Sequence, residues 1–300
     1  MKLKITLALL LSSLYFNNVY ALSADMAACN LALESADVAA AMALASKALS
    51  QNKNDKDALI CQGRVYSAKG DLAAALATLQ LAAKQTTDAL DQSIIALVTG
   101  NAYKAAKQYE SATASYEKSL GYAQTAKNQT FARISQNLMA DIQFDNKQFA
   151  AALVLYMAGS KLAANDNERG ESFEKIALTQ HKLKQHDAAI EYQIKAFMMH
   201  EKVGTLDQYA HSGIMLGRYY SLAKNNISAT SILNKIIKFS KDQGGAYYEA
   251  QASYVLAKVK VATGDIAAAK VLVAQANLIA KTSGDQLLAD EIKQETADLF

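Results

Sequence analysis

Four histidines, two cysteines and one acidic loop are the residues of this chain whose types could do chemistry. His181 and His186 are five apart, a spacing that does not put both on one helix face. No cysteine joins them and no His-Glu-x-x-His occurs, so His181, His186, His200 and His211 read as solvent-facing or inter-helix residues rather than zinc ligands. Asn165-Asp166-Asn167-Glu168-Arg169-Gly170 has the composition of a calcium loop. It lacks the alternate acidic spacing and the terminal bidentate Glu, so it reads as a polar turn. The sequence holds no phosphate-cradling Gly-rich loop and no Gly-x-Ser-x-Gly elbow. Cys29 and Cys61 are too far apart for a Cys-x-x-Cys redox pair. A structural disulfide and two buried thiols remain as readings. The chain is therefore expected to be no enzyme and to need no metal or cofactor.

The elements that position these residues follow from one recurring alanine. It stands at Ala41, Ala75, Ala112, Ala152, Ala189, Ala229 and Ala269, at intervals of 34, 37, 40, 37, 40 and 40 residues. A near-fixed period of this size means one supersecondary unit, stacked. In the second copy Asp57–Ser67 reads as a helix, Lys69-Gly70-Asp71 as a turn, and Leu72 to about Gln85 as a second helix. Small residues lie twelve before the alanine (Gly63, Gly100, Ala140, Ala177, Gly217, Ala257) and seven after it (Ala82, Ser119, Gly159, Ala196, Ala276). Two antiparallel helices approach closely where small residues meet, so these positions mark the predicted crossings. Gly-Asp at 70–71 and 264–265, Asn-Asn at 225–226 and Asp-Asn at 145–146 supply the expected inter-helix turns. Tyr66, Tyr103, Tyr116 and Tyr220 are read as packing residues. Tyr219, Tyr247 and Tyr248 are read as exposed.

This pattern resembles the tetratricopeptide repeat, a helix–turn–helix unit of 34 residues. Gly63, Tyr66, Ala75 and Ala82 match it in one copy, Gly100, Tyr103, Ala112 and Tyr116 in the next. Leu216, Gly217, Tyr220 and Ala229 match it in a third. The chain departs from the family in having no Trp and no Pro, and in its longer later units. These look like the variant found in bacterial regulators of the maltose-activator type. The resemblance covers roughly residues 22–283. It implies an all-α chain, a right-handed α-solenoid of about seven such units. The amphipathic segment 284–300 is expected to cap the stack.

The resemblance also implies where a ligand would lie. First helices of this family line a concave surface, and the positions that point into it map onto Arg64, Asn101, Lys104, Asn137 and Asp141. Further along they map onto His181, Arg218, Tyr254 and Lys258, with Phe144 and Glu174 among them. Mixed amides, charges and aromatics suit an extended peptide or a protein partner. The family's clamp for a terminal carboxylate is absent, since Leu97 and Asn101, then Asn137 and Asp141, occupy its places. Cys29 and Cys61 fall midway along the first helices of consecutive units, and such helices are neighbours in this fold. A disulfide there is expected to staple the end unit, which has only one neighbour.

Met1-Lys2-Leu3-Lys4 is followed by an apolar run from Ile5 to Phe16, then Val19-Tyr20-Ala21. This is the pattern of a secretory signal, expected to be cleaved after Ala21. Counting back from Ala41 starts the first unit at Leu22, so the two boundaries agree. Cleavage removes Lys2 and Lys4 from a formal net charge of +3 and leaves about +1, which is not the charge of a nucleic-acid binder. No other stretch is long enough to span a membrane. The expectation is an exported, non-catalytic scaffold that binds a protein or peptide, periplasmic or secreted. The alternative is a sensor module that binds a small ligand or envelope component and signals to a partner.

Overall fold

The computed structural model describes residues 24–300, so the signal segment expected at 1–21 lies outside the described residues. Fifteen α-helices and no strand occur among the described residues. They fall into two compact units that divide between Ser135 and Gln136. The first contains α1 (Ala24–Glu34), α2 (Val38–Gln51), α3 (Lys56–Ala68), α4 (Leu72–Lys84), α5 (Ala89–Ala105) and α6 (Tyr109–Thr125). Helix α7 (Gln129–Asp145) begins in the first unit and ends in the second. The second continues with α8 (Phe149–Ser160), α9 (Asp166–Lys182), α10 (His186–Val203), α11 (Leu206–Leu222) and α12 (Asn226–Asp242). It closes with α13 (Ala246–Ala262), α14 (Ile266–Ser283) and α15 (Gln286–Thr296). Within each unit consecutive helices pack as hairpins, and odd-numbered helices also touch: α1 on α3, α3 on α5, α11 on α13, α13 on α15.

The seven spaced alanines stand in α2, α4, α6, α8, α10, α12 and α14, the second helix of every hairpin, and each is 0% exposed. The crossing itself differs from the expected meeting of small residues. Gly63 lies against Leu79, Gly100 against the ring of Tyr116, and Gly217 against Leu233. In each copy the bulky residue four after the alanine fills the notch left by the glycine sixteen before it. A Cβ on Gly100 would stand 2.4 Å from Tyr116 Cε1, so only a hydrogen fits.

The turns repeat one geometry. A residue in the left-handed region ends the first helix, and the next residue caps the second. Gly70 (φ 80°) and Asp71 follow this rule, as do Gly264 (φ 84°) and Asp265. The backbone N–H of Asp71 donates to the Tyr66 carbonyl at 2.9 Å, the six-to-one bond of a Schellman ending. The Asp71 side chain accepts from the Ala74 N–H at 3.0 Å. At two turns the expected residues shift. Lys147 (φ 61°) and Lys224 (φ 60°) take the left-handed place, with Gln148 and Asn225 at the caps. Asn225 caps the helix start, one of the two roles expected of these turn residues, by accepting from the Ser228 N–H at 3.1 Å.

Cys29 of α1 and Cys61 of α3 form a disulfide with a Cα–Cα distance of 6.2 Å, and both are buried beside Ala41, Ala45 and Val65. The segment expected to cap the chain is α15, whose Leu288 and Ile292 are buried in the same core cluster as Leu256 and Val259. Tyr219, expected on the surface, is 3% exposed, because the His181 ring stacks on it and it is buried in one cluster with Ala177 and Ala189. Tyr247 is exposed as expected.

Candidate functional site

The first-helix side chains that the repeat register singles out are mostly engaged, several of them with partners one repeat away. In the first unit Arg64 Nη1 on α3 donates to Asn30 Oδ1 on α1, 34 residues earlier. Burial pulls the Arg64 guanidinium below its ordinary value, and the Glu34 carboxylate opposes this. Asn101 on α5 accepts a 2.8 Å hydrogen bond from the Tyr116 hydroxyl on α6, fixing the ring that fills the Gly100 notch. Lys104 stands half-buried in the last turn of α5.

In the second unit Asn137 is buried, its Oδ1 packed toward Gly159 without a hydrogen-bond donor. Asp141 accepts from the Tyr156 hydroxyl at 2.5 Å and from Lys175 Nζ at 2.6 Å, 34 residues on. The Lys175 ammonium also lies 5.2 Å from the centre of the Tyr156 ring. His181 stacks on Tyr219 with ring centres 5.2 Å apart, and its ring lies 5.5 Å from His186 across the α9–α10 turn. Burial lowers the His181 pKa, with His186 and Lys182 adding to the effect. Arg218 on α11 donates through Nη2 to the Tyr254 hydroxyl at 2.8 Å and through Nη1 to Glu295 Oε2 at 3.2 Å. Lys258 also donates to Glu295 Oε2. Register therefore brings Asp141 with Lys175, and Arg218 with Tyr254 and Lys258, into two clusters. It does not bring all nine residues to one place.

Sequence reasoning missed a third cluster. Glu174 on α9 is grouped with His200 and Gln193 on α10 and with Ser212 on α11. Gln193 Nε2 donates to the Ser212 carbonyl and Oγ, both at 3.0 Å. Burial pushes the Glu174 carboxyl up to about 7, against hydrogen bonds from Ser212 and Gln193 that favour its charge, with Glu171 adding repulsion. Burial likewise pushes His200 down to about 4, helped by His211. His200 Nε2 and Glu174 Oε1 are 3.7 Å apart, too long for a hydrogen bond. Both shifts run toward the uncharged forms, so burial works against an ion pair here. Gly170 makes room for it: a Cβ there would meet His200 Cε1 at 2.6 Å. The signal was present in the spacing. Glu174 and His200 are 26 residues apart, the same interval that joins Ser93 to Ser119 and Glu249 to Gln275 across other hairpins.

Among the described residues no group of three His, Cys, Asp or Glu side chains is placed to hold a metal ion. No helix there is long and apolar enough to cross a membrane. What the face offers is a set of charges, hydroxyls and amides on adjacent first helices, with Lys175, Arg218 and Lys258 partly open to solvent. That arrangement can bind polar groups of another chain. It assembles no nucleophile with a base and an oxyanion donor.

A repeat of antiparallel helical hairpins with a polar first-helix face defines a class, the all-α repeat proteins that present extended surfaces. Comparison with known proteins gives a local match and a shared fold. Residues 170–201, which contain most of α9 and α10, match the family model described as tetratricopeptide repeat. The fold is similar to that of the apo form of RapI, with a TM-score of 0.73 at 11% identity over 91% of this chain and 80% of that one. It is also similar to the C-terminal part of a TPR repeat-containing protein from Cytophaga hutchinsonii, with a TM-score of 0.61 at 11% identity over 88% and 98% of the two chains. A Rap protein complexed with Competence and Sporulation Factor gives a TM-score of 0.53 at 11% identity, over 85% of this chain and 78% of that one. No curated protein sequence matches the chain. The chain carries a tetratricopeptide repeat at residues 170–201, and its hairpins have the fold of tetratricopeptide repeat proteins.

Proposed function

We propose that the chain is a non-catalytic scaffold that binds another protein or a peptide through its first-helix face, and that it works outside the cytoplasm after loss of residues 1–21. One observation carries the binding reading. Charged side chains of that face are held by partners one repeat away, as in Asp141 with Lys175, while keeping part of their surface in solvent. Such side chains are oriented before a ligand arrives, which reduces the entropy lost on binding. The Rap protein of the same fold, solved with Competence and Sporulation Factor, supports a binding role for hairpins of this kind. The Cys29–Cys61 disulfide supports an oxidising compartment.

The test is to purify the chain from its native envelope after mild cross-linking, beside a thermal-shift screen against small ligands. A discrete protein that co-purifies in fixed proportion supports the scaffold. A ligand-specific rise in Tm with no protein partner contradicts it and favours a small-ligand sensor.

A further inference from the structure

Three residues expected to face a ligand, Arg218, Tyr254 and Lys258, are already occupied, and the occupant is α15. Two of its three carboxylates, Glu291 and Glu295, stand four apart and therefore on one helix face. Glu291 Oε1 accepts from the Tyr254 hydroxyl at 2.5 Å and from Gln251 Nε2 at 2.7 Å, and its Oε2 from the Tyr247 hydroxyl at 3.2 Å. Glu295 Oε2 accepts from Arg218 Nη1 at 3.2 Å and from Lys258 Nζ. The Arg218 guanidinium lies 5.4 Å from the centre of the Tyr254 ring and ties the two carboxylate subsites together.

This grip exceeds what an end cap requires. Covering the apolar end of α13 and α14 needs only Leu288 and Ile292, the buried side chains of α15. The carboxylates reach further, to Arg218 on α11, a hairpin earlier. Burial alone would raise the Glu295 pKa, yet Lys258 and Arg218 outweigh it and hold the group below its ordinary value. The subsite is thus electrostatically matched to a carboxylate. The rest of α15 is weakly anchored. It is 11 residues long, below the length at which a helix is stable alone. Leu287 is 73% exposed. The helix joins α14 through Gly284 at φ 69°, a turn whose glycine has no heavy atom near its Cβ position. An element with two apolar anchors and a charged grip belongs to the low-stability end of a fold, where local opening precedes global unfolding.

The way α15 binds states what the site reads. Leu288 and Ile292 each precede a gripping glutamate by three residues, so the pattern is an apolar residue, two of any kind, then Glu, repeated once. We propose that Arg218, Tyr254 and Lys258 form a docking site for an acidic helix of this pattern on a protein partner, and that α15 is the resident latch which that helix displaces. The proposal rests on the first-helix face being the protein-binding face, and it adds the chemistry of the partner and a gate.

The experiment uses the full chain and a labelled peptide spanning residues 285–300. Fluorescence anisotropy gives the affinity, and amide hydrogen exchange reports on α15. In the E291Q/E295Q chain the α15 amides exchange faster, and the peptide binds about tenfold or more tighter than to the wild-type chain. Adding R218Q/K258Q removes that gain. A charge swap guards against mere misfolding: the R218E/K258E chain binds a peptide carrying Lys at both glutamate positions and not the native peptide. If exchange of α15 is unchanged in E291Q/E295Q, α15 is a plain cap and the proposal fails. Faster exchange without tighter peptide binding also overturns it. Either failure leaves the broader binding role intact if a partner still cross-links to the face at Lys175.

Discussion

At the scale of single residues, the Glu174–His200 pair makes a pH prediction with a definite sign. Glu174 is raised to about 7, so its favourable contribution is complete below its ordinary value of 4.5 and is lost as pH rises through 7. His200 is lowered to about 4, so its contribution is complete above 6.5 and is lost as pH falls through 4. The pair therefore favours the folded chain most at mildly acidic pH. Glu174→Gln removes the alkaline loss alone: its Tm exceeds that of wild type by about 2–4 °C at pH 8 and converges on it as pH falls below the ordinary carboxyl value of 4.5. An equal difference across that range would show that ionisation plays no part. Gly100 gives a second prediction. Gly100→Ala forces a Cβ into the Tyr116 ring and costs about 1–3 kcal/mol. Gly121→Ala, with open space around it, gains about 0.5–1 kcal/mol on α6. Chemical denaturation of both variants gives the comparison, and an unharmed Gly100→Ala would contradict the notch. The alanine ladder was legible because one fully buried position recurs in the second helix of all seven hairpins. The Glu174–His200 pair was not, because its 26-residue interval has meaning only once the hairpin register is known.

At the scale of elements, capping and cross-linking decide which helices form and hold. Asp71 closes the turn of the α3–α4 hairpin by accepting from Ala74 N–H, so Asp71→Ala costs about 1 kcal/mol in a urea melt. The α1 helix depends on α3 through the disulfide. Reducing Cys29–Cys61, which closes 32 residues, lowers stability by about 3–4 kcal/mol in the chain-entropy picture. Protease sites in α1 then become the first to be cut. Equal midpoints for oxidised and reduced chains would remove the staple from the account. The helices themselves could be read in advance to within a residue or so: α3 and α4 fall where the second copy placed them, because propensity, cap and period agree there. The turns at Lys147 and Lys224 could not, since lysine carries no preference for the left-handed region that it occupies. The polar contacts between first helices were half legible. Their residues were identified from register, but the pairing of Asn30 with Arg64 and Asp141 with Lys175 needs the rule that charge complements recur at one repeat period.

At the scale of the whole molecule, the function we propose is that of an exported surface for another chain. Export has its own check: protein from the native host has an intact mass lacking residues 1–21 and two hydrogens fewer at Cys29 and Cys61. A full-length mass with two alkylatable thiols contradicts it. The hairpin architecture was legible at this scale, since a repeat announces itself by period before any residue is understood. The identity of the binding face was less so, because the residues that register assigns to it also make contacts within the stack. The most direct test of the central claim is a photo-cross-linking scan in the native host. One set of variants carries the photoreactive residue on first helices, at Lys175 or Asn101, and the other on second helices, at the exposed Val154 or Val271. The account predicts a discrete cross-linked partner from the first set and none from the second. Equal yields from both sets, or a partner captured only at Val154 and Val271, would contradict it.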